Sequence, residues 1–312
     1  MKVLITGGAG FIGSNVADRL IGEKYEVVVV DNLATGKIEN LNEKVKFYEY
    51  DIREKDLIGI FKTEKPDYVI HNAAQPSVRI SVDEPLFDAE VNVIGGLNVF
   101  NCSKETAVKK VIFASSGGTV YGEQEYFPAD ENHPLNPISP YGVAKLTSEK
   151  YLNYFYKSFG MQYIALRYAN IYGPRQDPFG EAGVVAIFSK KMIEGESPII
   201  NGDGNQTRDY VFVGDVVEAN IKAIQSNYTG CINIGTATET TVNELFQILK
   251  KISKNNNIKE SNGAAKQGEQ LRSSLGFKKA KEILAWEPKI SIEKGLEITY
   301  EWFQKKIKTI NI

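Results

Sequence analysis

Cysteine and histidine are scarce in this chain, and their scarcity excludes several kinds of site. The 312 residues include two cysteines, Cys102 and Cys231, whose spacing forms no pattern. We expect buried small side chains rather than a disulfide scaffold or a thiolate metal site. His71 and His133 are the only histidines, which argues against a histidine metal centre or a Ser–His–Asp triad. The sequence therefore predicts no bound metal.

Surplus charge and long apolar runs are also missing. Lysine and arginine number 37 against 39 aspartate and glutamate residues, a net charge of −2, so no overall field invites nucleic acid or an anionic membrane. Any bound anion must then be held by local groups. The apolar stretch at residues 1–5 runs into glycines and is too short for a signal peptide or a spanning helix. We expect a cytoplasmic protein.

What the chain does contain is a glycine-rich turn between a strand and a helix. Residues 2–6 form a short apolar run that predicts a buried strand, and residues 14–23 predict an amphipathic helix. Gly7, Gly10 and Gly13 lie between them. Glycines allow a tight turn and close approach to a pyrophosphate, while the helix N-terminus offers free N–H groups. A glycine triplet alone is weak evidence, but this context is the one that a dinucleotide fingerprint requires.

Acidic residues at the ends of the next two predicted strands support a dinucleotide site. The run at residues 25–30 ends in Asp31-Asn32, about 20 residues past the glycines, where a carboxylate can bind both ribose hydroxyls. The same carboxylate would repel a 2′-phosphate, which favours NAD over NADP, although Lys37 leaves NADP open. The alternative interpretation is that Asp31 is only a turn residue. The run at residues 45–50 ends in Asp51-Ile52, a plausible adenine contact.

Further strand and helix units complete the predicted fold. Small residues, Ala73 and Ala74, follow a strand at 68–72 and let the chain pass close to a cofactor. A long helix is predicted over 87–106, with Asn92 on its apolar face needing a partner of either structural or functional kind. A strand at 110–114 leads into Ser115. This alternation predicts an α/β, Rossmann-type doubly wound parallel sheet with its ligands at the carboxyl ends of the strands.

One helix carries the candidate catalytic pair. Ser139 is predicted as its N-cap and Pro140 as its first residue. Tyr141 and Lys145 then lie four residues apart on one face. A free tyrosine has a pKa of about 10, and we expect the lysine ammonium one turn away to favour the phenolate. A surface helix that happens to carry a tyrosine and a lysine is the alternative, since this spacing alone is common.

Taken in order, these motifs resemble the extended short-chain dehydrogenase/reductases, most closely nucleotide-sugar epimerases of the UDP-glucose (UDP-galactose) 4-epimerase type. The resemblance runs from residue 1 to about 303. It rests on segments 7–13, 31–33, 71–75, 115–122 and 141–145, together with Asn92. It implies catalytic roles for Tyr141, Lys145, Ser116 and Thr119. The cofactor contacts that it implies are Gly7, Gly10, Phe11, Ile12, Asp31, Asn32, Asp51, Ile52, Ala73, Ala74, Gln75, Asn92, Ser115, Tyr141, Lys145 and Tyr168.

The chain departs from that family at one position. Many 4-epimerases carry a serine or threonine four residues before the tyrosine of the T-V-Y-G motif, where it bonds the reacting sugar oxygen. Gly117 stands there in this chain. Either Ser116 or Thr119 substitutes for it, or Tyr141 carries more of the proton transfer alone.

For the second half, the resemblance implies a smaller lobe that binds the nucleotide sugar. The expected division is residues 1–175 for the NAD-binding domain and mainly 176–312 for this lobe, with some later segments returning to the first domain. The implied substrate contacts are Ser116, Tyr141, Asn170, Val184, Val185, Asn201, Arg208, Lys266 and Arg272. A salt bridge to Asp209 or Asp215 is the alternative for Arg208, and Asp215 itself is predicted to be a structural helix cap. Thr241 and Glu244 have the spacing of a capping box.

The implied activity is NAD-dependent epimerisation of a UDP-sugar at C4 through a transient 4-keto intermediate, with Tyr141 as acid and base. UDP-N-acetylhexosamine epimerisation and UDP-glucuronate epimerisation or decarboxylation stay open, with Arg79 as a possible carboxylate ligand. A non-catalytic nucleotide-binding scaffold is a remote alternative. The resemblance also implies a homodimer formed by the 87–106 and 140–159 helices. Leu97, Val99, Leu152 and Phe155 are compatible with that interface and equally with burial on the sheet.

Overall fold

The computed structural model describes residues 1–179, 183–265 and 270–310. Its first half alternates strands and helices. In chain order these are β1 (Lys2–Thr6), α1 (Phe11–Gly22), β2 (Glu26–Asp31), β3 (Lys46–Glu49), α2 (Leu57–Glu64), β4 (Tyr68–His71), α3 (Val78–Asp83), α4 (Pro85–Ala89), α5 (Gly96–Glu105), β5 (Lys110–Ser116), α6 (Gly117–Val120), α7 (Pro140–Phe159), β6 (Gln162–Tyr168) and β7 (Asn170–Tyr172). A short 3-10 turn covers Ile38–Asn40, and a π-helical segment, Glu90–Gly95, joins α4 to α5.

The second half has shorter strands. They and their helices are α8 (Val184–Ile193), β8 (Ile199–Asn201), β9 (Thr207–Arg208), β10 (Tyr210–Phe212), α9 (Val213–Gln225), β11 (Gly230–Ile234), β12 (Thr240–Thr241), α10 (Val242–Ser253), β13 (Ser261–Gly263), α11 (Lys278–Leu284) and α12 (Ile292–Ile310). Among the described residues, no helix combines the length and apolar character that a membrane crossing requires.

Seven parallel strands form the central sheet, in the order β11-β6-β5-β4-β1-β2-β3. Side chains alternate between its two faces. Val3 and Ile5 point into one apolar layer that includes residues of α1 and α9, while Leu4 points into the other, which includes residues of α2, α5 and α7. Both faces are thus covered by helices, which confirms the predicted doubly wound fold.

A separate apolar cluster lies beyond this sheet and unites α8, α10 and α12. Its fully buried members include Ile200, Phe246 and Leu296. β11 returns to the central sheet, and α9 packs against α1. These features support the proposed smaller lobe after residue 175 and the return of later segments to the first domain.

Three predicted elements differ from the structure. The first helix begins at Phe11 rather than Ser14, because the last part of the glycine turn is already helical. The predicted helix over 87–106 starts at Pro85, ends at Glu105 and contains the π-helical segment. Asp215 is not a helix cap, because α9 begins at Val213; its carboxylate instead accepts the backbone N–H groups of Lys289 and Ile290, so its structural role holds.

Candidate active site

The glycine turn packs directly against the end of β4. Gly7 has a φ of +69°, and a side chain there would place its Cβ 2.5 Å from the Ala73 nitrogen. A Cβ at Gly13 would lie 2.3 Å from the Gly7 carbonyl oxygen. The N-cap of α1 is Gly10, which has no side chain to cap the first helical N–H groups. The turn therefore presents backbone donors beside a strand end, as a bound pyrophosphate requires.

Asp31 is tied to this turn. Its Oδ2 accepts the Ala9 N–H and its Oδ1 accepts the Leu33 N–H, both at 2.9 Å. Burial raises the pKa of the Asp31 carboxyl, and the two backbone hydrogen bonds oppose that rise. A Cβ at Gly36 would lie 2.8 Å from Oδ1, so a glycine is needed above this carboxylate. Position 36 was not singled out from the sequence.

The second predicted acidic residue has partners of its own. Arg53 donates to both oxygens of Asp51, at 2.9 and 2.8 Å, and Asn32 donates at 2.8 Å. The Arg53 hydrogen bonds, with smaller help from Asn32, lower the pKa of Asp51 to about 2 despite partial burial. Ile52 is buried. Asp51 and Asn32 therefore form one polar edge with Arg53 beyond the end of β2, and their contact with adenine stays a prediction.

The end of β4 carries a side-chain amide without a hydrogen-bond partner and lies next to a buried hydrogen-bond network around Asn92. Among the described residues, neither amide atom of Asn72 has a hydrogen-bond partner, although both are buried. Asn92 holds the backbone of Gln75 at both its N–H and its carbonyl, each at 3.0 Å, and donates to Asp88 at 2.8 Å. The partner that Asn92 needs is thus structural. Beside the Gly7 turn and Ala73, the orphaned Asn72 amide fits a site completed by a bound dinucleotide.

The helix of the catalytic pair is built as predicted. The Ser139 hydroxyl accepts the Gly142 N–H at 3.1 Å, and Pro140 opens α7. The Lys145 Nζ lies 5.5 Å from the centre of the Tyr141 ring and donates to the Ala114 carbonyl at 2.9 Å. α7 therefore brings the tyrosine and the lysine together beside the end of β5.

Burial, rather than Lys145, has the largest effect on the pKa of Tyr141 in this structure, and the predicted effect of Lys145 stays a prediction. We expected Lys145 to lower the pKa of Tyr141, but burial raises that pKa and the nearby Asp88 adds to the rise. Burial also lowers the pKa of Lys145 to about 8, with Asp88 opposing. Removing a phenol from water disfavours its anion, and spacing in a sequence does not reveal burial.

A buried ion pair lies next to Ser115 and includes Glu149, which is one helical turn beyond Lys145 on α7. Arg167 and Glu149 meet in a fork at 2.9 and 2.7 Å, both almost completely buried. Ser115 donates to Glu149 at 2.6 Å, and Arg167 donates to the Tyr121 hydroxyl at 3.0 Å. The Ser115 hydroxyl is thus engaged in this network, and its predicted cofactor contact stays a prediction. This pair joins α7 to β5 and β6, and no local pattern in the sequence indicates it.

The space at Gly117 is filled from elsewhere in the chain. A Cβ at Gly117 would lie 2.3 Å from Cδ1 of Leu275, a fully buried side chain. A Cβ at the next position, Gly118, would be 3.9 Å from Asn170 Oδ1 and 4.0 Å from Ser116 Oγ, with nothing nearer. Ser116 Oγ and the Asn170 amide therefore lie on one side of this turn.

Of the two replacement hydroxyls, the geometry favours Ser116. The Thr119 hydroxyl points back along its own turn and donates at 3.5 Å to the Ser116 carbonyl. Ser116 Oγ lies beside Gly118 and Asn170, as described above, and the Ser116 residue is only half-buried. The contact of either hydroxyl with a sugar stays a prediction.

Two of the predicted phosphate ligands lie on adjoining segments. Arg208 pairs with Thr240 across β9 and β12, and the Thr207 N–H donates to the Leu271 carbonyl at 2.9 Å. The Asp209 carboxylate is instead directed at backbone N–H groups of Thr236, Ala237 and Leu275. The Asp215 carboxylate is likewise directed at backbone N–H groups, those of Lys289 and Ile290.

Arg272 has partners that the sequence did not indicate. Its guanidinium lies 3.9 Å from the centre of the Phe127 ring and bonds Glu239 at 3.0 Å. A phosphate would compete with Glu239 for it. Lys266 lies outside the described residues.

The remaining predicted contacts divide between core and surface. Tyr168 is buried, and its hydroxyl accepts from Asn220 at 2.9 Å. Val185 is buried in the cluster of the second lobe, whereas Val184 and Asn201 are half-buried. Phe11, Ile12 and Ala74 are also half-buried at the carboxyl edge of the sheet. The structure thus brings Val184 rather than Val185 toward the surface, and all of these contacts stay predictions.

Known proteins are similar to this chain along almost its whole length. The sequence profile of the NAD dependent epimerase/dehydratase family matches residues 3–235. The chain belongs to this family. A UDP-glucose 4-epimerase of Mycolicibacterium smegmatis is 41% identical, over 98% of this chain and 99% of its own length.

Solved structures agree. A UDP-glucose 4-epimerase from Thermotoga maritima, determined with UDP-glucose, is 50% identical with a TM-score of 0.96 and covers 98% of this chain and 100% of its own. One from Thermus thermophilus, determined with NAD, is 40% identical with a TM-score of 0.93 and covers 97% and 99%. The predicted family of NAD-dependent epimerases and the predicted fold are confirmed.

Proposed function

We propose that this chain is an isomerase that interconverts UDP-glucose and UDP-galactose by inverting C4, with NAD as a resident cofactor. The observation that carries the proposal is the Tyr141–Lys145 pair, held at 5.5 Å on α7 beside the strand ends where the dinucleotide elements gather. The likeness along the full chain to UDP-glucose 4-epimerases supports the choice of substrate.

The glycine turn, Asp31, the Asn72 amide and Lys145 would hold NAD, which when bound supplies the reversible oxidation of the sugar at C4. Tyr141 takes the proton of the reacting hydroxyl and returns it. Because burial and Asp88 both raise the pKa of Tyr141, its phenolate needs a cation nearby, and Lys145 supplies one. Proton transfer by a placed base contributes roughly 10² to 10⁴ in rate.

Substrate binding is assigned to groups away from the reacting carbon. Arg208 and Arg272 hold the diphosphate, since guanidinium groups bind phosphate oxygens in a fork. Asn170 and Ser116 line the turn next to Gly118. Binding energy placed on the nucleotide leaves the sugar free to turn between the two half-reactions.

The test is a coupled assay with UDP-galactose that detects UDP-glucose, with and without added NAD. We expect turnover by the wild type and a loss of at least about 10²-fold in Tyr141→Phe, with NAD binding retained. Tyr151→Phe is the matched control, because Tyr151 is an exposed tyrosine on the same helix. Undiminished turnover by Tyr141→Phe would remove Tyr141 from the reaction.

Absence of turnover with UDP-galactose still bound would redirect the proposal. UDP-N-acetylglucosamine and UDP-glucuronate would then be the next substrates to assay. The decarboxylase alternative has little support, because Arg79 is mostly exposed on α3 and lies 3.8 Å from Asp83. Failure of the purified protein to bind NAD would favour the scaffold alternative.

We also propose that two copies of the chain pair through α4, α5 and α7, which would make the enzyme a homodimer of galactose metabolism. Leu86, Ile94, Val143 and Tyr154 are exposed apolar or aromatic side chains on these helices and the π-helical segment. The side chains considered from the sequence do not support pairing: Val99, Leu152 and Phe155 are buried in the core of the sheet, and Leu97 is half-buried. A cytoplasmic location stays a prediction.

A further inference from the structure

A buried carboxylate outside the predicted site faces the catalytic helix. Asp88 lies in α4 and is 1% exposed. Its Oδ1 accepts two hydrogen bonds, from Gln75 Nε2 at 2.9 Å and from Asn92 Nδ2 at 2.8 Å. A cleft of about 510 Å³ is lined by Asp88 together with Ser139, Pro140 and Ala144, which flank Tyr141 and Lys145 in α7. No motif in the sequence indicated this residue.

The two hydrogen bonds favour the ionised form of Asp88, because both partners donate. Asn92 cannot be turned around, because its Oδ1 accepts the Gln75 N–H while its Nδ2 donates to the Gln75 carbonyl. Gln75 is oriented in the same way by the N–H and carbonyl of Ser77. Both amides therefore present only N–H groups to Asp88, and these donors, together with Lys145, oppose the rise in the pKa of Asp88 that burial causes.

The π-helical segment links this carboxylate to α7. Within this segment, the Asn92 carbonyl accepts the Ser148 hydroxyl at 3.1 Å. Ser148 lies one turn beyond Lys145 on α7. Asn92 thus joins Asp88, the end of β4 and the catalytic helix at one point.

We propose that Asp88 is a positioning residue of the Tyr141–Lys145 site, whose buried negative charge keeps Lys145 in its ammonium form and acts against the Tyr141 phenolate. The proposal rests on the proposed function and adds to it a third charge that tunes the pair. The proposed effect of the charge agrees with the direction in which Asp88 shifts both groups, since it raises the pKa of Tyr141 and the pKa of Lys145.

The other charged groups around Asp88 lie farther out or are neutral. Glu84 and Glu90 are exposed at the two ends of α4. Arg79 and Asp83 on α3 are exposed and close to each other. On the inner side, burial lowers the pKa of His71 to about 3, so that imidazole is neutral near pH 7. Among the described residues of α3, α4 and β4, Asp88 is therefore the buried charge near the pair, whereas the buried Glu149 of α7 is paired with Arg167.

The experiment is an NMR titration of Tyr141 in protein labelled at the tyrosine ring carbon, purified with its NAD and assigned with Tyr141→Phe. Asp88→Asn keeps an oxygen that can accept both amide donors and removes only the charge. We expect its Tyr141 midpoint to fall by roughly half to one pH unit, with the acid limb of kcat shifted the same way. Asp83→Asn is the control and should leave both midpoints in place.

An unshifted Tyr141 midpoint in folded Asp88→Asn would overturn the proposal. If that variant does not fold, Asp88→Ser removes the same charge with a smaller side chain, and the same shift is expected. The titration needs no substrate, so a wild type that fails to turn over UDP-galactose overturns the proposed function alone. A wild type that turns over but shows no shift in the variant overturns the role of Asp88 alone.

Discussion

A methyl group added at Gly117 should destabilise the protein, whereas one added at Gly118 should not. The Gly117 Cβ would lie 2.3 Å from Leu275 Cδ1 and 3.3 Å from the Arg167 carbonyl oxygen. Leu275 is fully buried among Val120, Tyr121 and Ala129, so its side chain cannot swing aside without disturbing that cluster. At Gly118 the nearest atom is 3.9 Å away, an ordinary contact.

Comparing Gly117→Ala with Gly118→Ala isolates the free-energy cost of the clash with Leu275. Both glycines lie in α6, and neither has a positive φ. Replacing either by alanine should therefore gain a similar amount, about 0.4–1 kcal/mol, from a less flexible unfolded chain. Overpacking a core costs about 1–3 kcal/mol. Gly117→Ala should thus be less stable than Gly118→Ala by about 1–3 kcal/mol.

The assay is urea unfolding of both variants beside the wild type, with UDP affinity measured by calorimetry. Leu275 lies three residues beyond Arg272. Its N–H donates to the Asp209 carboxylate, and its carbonyl accepts the Ala237 N–H. A displaced Leu275 should therefore weaken UDP binding in Gly117→Ala and leave it unchanged in Gly118→Ala. Equal unfolding midpoints for the two variants would refute the assigned contact.

Three further predictions test the surroundings of the site. Glu149→Gln leaves the buried Arg167 charge without its partner and should lower the free energy of unfolding by about 3–5 kcal/mol. Urea unfolding measures this loss, with Lys150→Gln at the exposed neighbouring position as the control. An equal effect of the two substitutions would contradict the prediction. Lys46, Tyr48 and Lys2 lower the pKa of Glu64 to about 2 against the opposing effect of burial, so Glu64 should stabilise the fold above pH 4.5 and lose that effect as the pH falls toward 2. Glu64→Gln should then flatten the decline of the urea midpoint below pH 4.5, while the exposed Glu43→Gln should follow the wild type. Ile94→Asp should shift a dimer toward monomer in light scattering, with Ile38→Asp, exposed on the 3-10 turn, as control; an unchanged mass would argue against the proposed interface.

Local signals in the sequence were enough for the framework of the site. The glycine turn, the Ser139 cap and the capping box of Thr241 and Glu244 are each encoded within a few consecutive residues, and all three form as predicted. The parallel sheet was predicted because short apolar strands alternate with helices along the chain. These features were predictable because each depends on neighbours along the chain.

Contacts between distant segments were not predictable in this way. Nothing near Glu149 indicates Arg167, and nothing near Arg272 indicates Glu239. The raised pKa of Tyr141 was likewise not predictable, because burial is a property of the whole fold and cannot be read from the spacing of Tyr141 and Lys145. Asp88 was within reach, because it lies four residues before Asn92, whose need for a partner was recognised.

Gly117 shows how a departure from a family pattern changes meaning once the fold is known. From the sequence, a glycine at this position is a missing hydroxyl. In the structure its space holds Leu275, which belongs to the segment that carries Arg272. Restoring a serine at 117 alone would therefore collide with Leu275 before it could reach a sugar. We therefore predict that Ser116, whose Oγ lies with the Asn170 amide beside Gly118, takes the hydroxyl role at this turn.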